Sequence, residues 1–157
     1  MELKLKGTHR GFEYMVLTMD MGHRCGYVRV PESHPLYGKH YQEEEVYSLD
    51  VHGGITFSRH VTANQIEFFS EGYWIGFDCN HCFDMPDPDE MTPEFRKLQP
   101  RMKEMEKKFE NMFDALLGVE PWMKTKRPES KIRNDRYVES QCRNLCEQLA
   151  GMKGRHV

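Results

Sequence analysis

Apolar and polar residues alternate with a period near two in three short runs at the start of the chain: Glu2–Lys6, Phe12–Met19 and Gly26–Val30. Short glycine-containing turns separate them, so each reads as a half-buried strand. The segment Pro31–Gly38 keeps no period and is punctuated by Pro31, Pro35 and Gly38, which predicts a loop continued by Gln42–Glu45. Two further strands are expected, one over Val46–Ser58 broken by Gly53-Gly54 and a very aromatic one over Glu67–Asp78. Strands this close together, with no helix between them, favour an antiparallel sheet.

The pattern changes after Met85-Pro-Asp-Pro-Asp-Glu90. Thr92, Pro93 and Glu94 supply an N-cap, a first-turn proline and an acid at the positive end of a helix. Apolar residues then recur at Phe95, Leu98, Met102, Met105, Phe109, Met112 and Leu116, in the alternating steps of a heptad seam. Pro100 is expected to kink or restart this helix, and Gly118 with Pro121 to end it. After a basic linker at Trp122–Ser130, Asn134 or Asp135 caps a last helix. Its one face carries Tyr137, Val138, Cys142, Leu145, Cys146 and Leu149, and Gly151 closes it. The fold class is therefore α+β: an antiparallel sheet of about five strands packed by a C-terminal helix, with a long inserted helix. Residues 1–157 form a single domain in which 85–133 is a helical insertion and basic linker. The seam packs on its own sheet or pairs with a second copy, a homo-oligomer through residues 95–117.

Composition narrows the class. No apolar run approaches the roughly 18 residues of a membrane span. The first residues lack the apolar core of a secretory signal, so the expected location is cytoplasmic. A net charge of −3 argues against general nucleic-acid binding. Residues 1–90 hold 7 Lys and Arg against 15 Asp and Glu, whereas 91–157 hold 15 against 10. The basic part is either a solvated face or a wall facing an anionic ligand. Five cysteines, an odd number, argue for reduced thiols. Cys79 and Cys82 have the spacing of a zinc ribbon, and Cys142 with Cys146 is the only available second pair; ordinary buried thiols explain the same residues.

Candidate chemistry gathers in two segments, Asp50-Val-His52-Gly53-Gly54-Ile-Thr56 and Gly72-Tyr-Trp74-Ile-Gly-Phe-Asp78-Cys-Asn-His81-Cys-Phe-Asp84. Paired glycines inside a strand cost stability, and a fold keeps them for a bulge or a close approach of backbone. Their amides could cup an anion. If the two segments are neighbours, His52, Gly53, Gly54, Thr56, Asp78 and His81 form a ligand site. Tyr37, Tyr41, Tyr73 or Trp74 would then stack on a ring, and the His34–Gly38 loop would serve as a lid. A metal, though none is favoured, would fall to Asp50, His52, Asp78, His81 and Asp84. No cofactor is implied: phosphate-loop, nucleophile-elbow and zinc-protease sequences are all missing.

Four motifs carry a resemblance. Gly26-Tyr-Val-Arg-Val-Pro31, His34-Pro-Leu-Tyr-Gly38-Lys, Asp50-Val-His52-Gly-Gly-Ile-Thr56 and Gly72-Tyr-Trp-Ile-Gly-Phe-Asp78-Cys-Asn-His81 occur in this order. The set is similar to that of a widespread family of small uncharacterised phage and prophage proteins, as is the Tyr137–Leu149 helix. The match spans roughly residues 22–84 and 134–150, with 85–133 as an insertion relative to the shorter members. The resemblance implies a phage setting and the host cytoplasm, and no particular reaction. By analogy with small phage proteins that blunt host defence, it implies sequestration of a small anionic, nucleotide-derived signal. The alternatives are a metal-dependent hydrolase of such a nucleotide and a protein–protein interaction module. Whether the chain is an enzyme is left open, with binding preferred.

Overall fold

Pleating puts Phe12, Tyr14 and Val16 on one side of the second strand, and Met15 and Leu17 on the other. The computed structural model, which describes residues 1–81, 83–123 and 130–152, uses both sides. Strands β1 (Glu2–His9), β2 (Phe12–Thr18), β3 (Arg24–Val30), β4 (Phe57–Val61) and β5 (Gly72–Asp78) form one antiparallel sheet in the order β1-β2-β3-β5-β4. The short helix α1 (Glu44–Tyr47) lies between β3 and β4. The helix α3 (Asp135–Met152) covers one face, burying Val138, Cys142, Leu145, Cys146 and Leu149 against Val16, Val28, Ile75 and Phe77. It approaches closely: a Cβ on Gly26 would strike the Phe77 ring and the Cys142 sulfur. The other face carries Met15, Leu17, Tyr27, Phe69 and Trp74 in a second core.

The α+β architecture expected from the pattern is the one observed; β1 runs on to His9 and β3 starts at Arg24, and the last two strands differ most in extent. Only the end of the Val46–Ser58 run is strand. Val46, Leu49, Val51 and Ile55 are buried, but on α1 and an irregular loop. Side chains of α3 supply that loop's hydrogen bonds: Gln148 and Asn144 donate to Asp50 O, Gln148 Oε1 accepts from Asp50 N, and Gln141 Oε1 accepts from His52 N. The aromatic strand starts at Gly72 rather than Glu67, because Ile66 and Phe69 turn inward to cover the second core.

Between β5 and the last helix the chain forms β6 (Asp84–Met85), α2 (Pro93–Leu117) and β7 (Lys131–Ile132), with β6 and β7 paired in parallel. The helix runs through Pro100 without restarting. Pro100 removes one hydrogen bond to Arg96 O, and exposure of this turn lets water take that carbonyl. Thr92 precedes Pro93 as expected, but its hydroxyl donates to Asp20 O rather than capping the helix. Gly118 ends α2 in the left-handed conformation, φ 65°. No residue of α2 is buried. Among the described residues no helix is long and apolar enough to cross a membrane. Cys82 and linker residues 124–129 lie outside the described residues.

Candidate functional site

The two segments singled out in the sequence do meet. Gly53 (φ 69°) and Gly54 (φ 80°) make a tight left-handed turn after His52, with Gly54 N donating to Val51 O. A side chain at Gly53 would collide with the His81 ring, so the doubled glycine serves a close approach as well as a turn. The His52 and His81 rings lie nearly parallel, 7° apart in plane, with centroids separated by 5.7 Å.

Asp84 is the centre of this cluster. Its carboxylate, 2 % exposed, accepts from His52 Nε2 at 2.8 Å, Arg133 Nε at 3.0 Å and His81 N at 3.0 Å. Burial pushes this carboxyl up, but the bonds from His52, Arg133 and His81 outweigh it and hold it below the ordinary carboxylate range. The other ring nitrogen of His52 sits 2.8 Å from the Tyr137 hydroxyl. In the neutral tautomer that keeps Nε2–H on Asp84, Nδ1 accepts the phenol proton. Arg133 lies over the Tyr137 ring, 5.0 Å from its centroid. Burial raises the Tyr137 phenol, so it is not poised as a phenolate. Chemically, the group joins the 50s loop, the 81–84 turn and the start of α3, and most of its hydrogen-bonding capacity is spent within itself.

A neighbouring pair lies at the exit of β5. Thr56 Oγ1 donates to Asp78 Oδ2 at 2.9 Å and Asn80 N to Asp78 Oδ1 at 3.1 Å, with His81 Nδ1 3.8 Å away. Among the described residues, His81 Nε2 and His23 Nδ1 are buried polar atoms without a partner. Burial pushes His23 down, against the pull of Asp78.

Other expected site residues go elsewhere. Trp74 is 1 % exposed in the second core, edge-on to Phe69, with its indole N–H on Ser70 O. It offers no face to a ligand, because residue 74 points away from the α3 side of the sheet. Tyr37 packs edge-on against His60 and Tyr73, near the start of β5. Five residue steps along the strand, roughly 17 Å at about 3.4 Å each, separate Tyr73 from Asp78. The expected lid is instead a packed strap: buried His34 accepts from Leu36 N and donates to Leu149 O. Asp50 is held through its main chain. Among the described residues no three His, Cys, Asp or Glu side chains are placed to hold a metal ion. Buried Cys25, Cys79 and Cys146 are each pushed up to about 12 by desolvation, and Cys142 higher still, so these thiols are inert at neutral pH.

Two arginines went unnoticed in the sequence. Arg133 completes the Asp84 cluster. Arg24, 5 % exposed at the start of β3, donates to Asp135 through Nε, to Asp87 Oδ2 at 3.1 Å and to Arg133 O at 3.3 Å; Glu90 lies 3.6 Å away and is also held by Lys4 at 2.6 Å. With the β6–β7 pair, Arg24 and Asp84 clamp both feet of the α2 excursion to the sheet. The detectable signal was an arginine, Arg24, placed just ahead of the Gly26–Val30 strand run.

Beyond this root, α2 projects. Leu98, Met102, Met105, Phe109, Met112, Phe113, Leu116 and Leu117 are 41–76 % exposed. A groove of about 530 Å³ opens between its first half and the root, lined by Met21, Met85, Met91, Phe95, Met102 and Lys103 among others. A search of family models, of curated proteins and of solved structures found no match to this chain.

Proposed function

We propose that this chain is a protein–protein interaction module that works by pairing with a second copy through α2. One observation carries the reading: eight large apolar side chains follow one helix and each stays 41–76 % exposed. A solvated helix of this length ordinarily turns such a stripe inward. Burying a Leu, Met or Phe side chain contributes about 1.5–3 kcal/mol. Covering half of such side chains on each of two copies gains roughly 12–24 kcal/mol, against the roughly 4–15 kcal/mol lost on association. The pair is therefore reversible and concentration-dependent. Light scattering over roughly 10–100 µM tests it. The expected result is a mass rising toward that of two chains, and a monomer mass with an unchanged circular dichroism spectrum for Met105→Asp/Phe109→Asp. A wild-type monomer throughout that range removes the reading.

A second reading is the capture of a small anionic, nucleotide-like ligand at the Gly53–His81 contact. The observation favouring it is the unpartnered His81 Nε2 beside the left-handed glycine turn. The resemblance to phage proteins adds an anti-defence setting in a host cell. Titration calorimetry against cyclic nucleotides and ADP-ribose derivatives is the test: saturable heat with wild type, abolished in His81→Ala, is expected. No heat from any member of either panel ends this reading.

A further inference from the structure

We infer that the two copies lie antiparallel, the Met105–Leu117 end of each α2 seated in the methionine-lined groove at the root of the other. This rests on the self-pairing proposed above and adds the orientation and the site. The seam is not equally free along its length. Phe95 and Met102 already face their own root, where they wall the groove with Met21, Met85 and Met91. Beyond Met102 the seam leaves that groove and carries Met105, Phe109 and Phe113 along a second, open depression.

The free end therefore needs an apolar seat, and the root has an incompletely filled one. Methionine suits such a seat, because its unbranched, polarizable side chain adapts to irregular surfaces. A copy turned end for end brings the two together twice, as a closed two-fold pair requires. It leaves neither patch over.

Charge agrees along the length of the helix. Residues 93–103 carry Arg96, Lys97, Arg101 and Lys103 against Glu94, whereas 104–117 carry Glu104, Glu106, Glu110 and Asp114 against Lys107 and Lys108. An antiparallel partner sets the acidic end beside the basic beginning. It also holds the acidic sheet regions about a helix length apart, ~37 Å for 25 residues at about 1.5 Å each. A parallel pair would gain Arg101–Glu106 contacts across the seam. It would also crowd the two sheet regions together and compete for Phe95 and Met102, which face their own root.

Cross-linking of full-length chains in a Cys82→Ser background decides the orientation. Met85→Cys, at the groove, and Leu117→Cys, at the free end, are both exposed positions. Each variant is treated with a short bifunctional maleimide alone and after mixing, and the products are weighed by mass spectrometry. Light scattering of the untreated variants records whether they pair. The expected result is a covalent dimer containing one chain of each kind, with no product from Leu117→Cys alone. Pairing by light scattering with Leu117→Cys linking to itself, and no mixed product, would overturn the antiparallel seat while leaving self-pairing intact. Variants that stay monomeric, like a monomeric wild type, would remove the self-pairing and this inference together.

Discussion

Helices α2 and α3 are written in the same pattern and meet opposite fates. Each carries an apolar stripe at helical spacing. In α3 the stripe is the core: Val138, Cys142, Leu145, Cys146 and Leu149 are all buried. In α2 no residue is buried. Periodicity shows which face of a helix has to be covered, not what covers it. The polar sides differ too. In α3, Tyr137, Gln141, Asn144 and Gln148 are spent on the 50s loop, whereas the ion pair described within α2 is an exposed one between Lys108 and Glu104.

Substitutions can break this contrast, and their expected effects descend from the root outward. Arg24→Ala should be most damaging, because it leaves Asp87 and Asp135 without their cation; a loss of about 3–5 kcal/mol in urea unfolding is expected. Leu145→Ala, in the covered stripe, should cost about 2–5 kcal/mol by the same measurement. Asp84→Asn should cost about 1–3 kcal/mol at neutral pH. It also tests a sign. Asp84 is depressed in the folded state, so its contribution is present above the ordinary carboxylate range and lost as pH falls through the folded value. The wild-type advantage over Asp84→Asn should shrink on acidification; an advantage constant with pH would contradict the geometry. Met105→Asp should change monomer stability by no more than about 0.5 kcal/mol while abolishing pairing. A large drop in melting temperature at low protein concentration would mean that α2 belongs to the core after all.

Much of the fold was legible because its elements obey local rules. Strands β1, β2 and β3 are marked off by their turns, although β2 and β3 prove to be buried on both faces rather than half-buried, and α3 has its cap and stripe. The Val46–Ser58 segment misled because its apolar residues are buried without a strand partner. Its main chain is satisfied by Gln141, Asn144 and Gln148, about ninety residues away in sequence, which no local pattern reports. At the candidate site, the meeting of Gly53 with His81 was readable from paired glycines that needed a reason. The saturation of the site by Asp84, Arg133 and Tyr137 was not, because it depends on the return of the chain after α2. The misplacement of Trp74 beside that site was avoidable: strand parity sets residue 74 opposite Tyr73, Ile75 and Phe77, which pack under α3.

The pairing of Met85 with Ile132 makes departure and return neighbours. The protein can thus alter the length of its excursion, or exchange it for a tight hairpin, without rerouting any strand of the main sheet. The excursion is free to diverge while the platform beneath stays put.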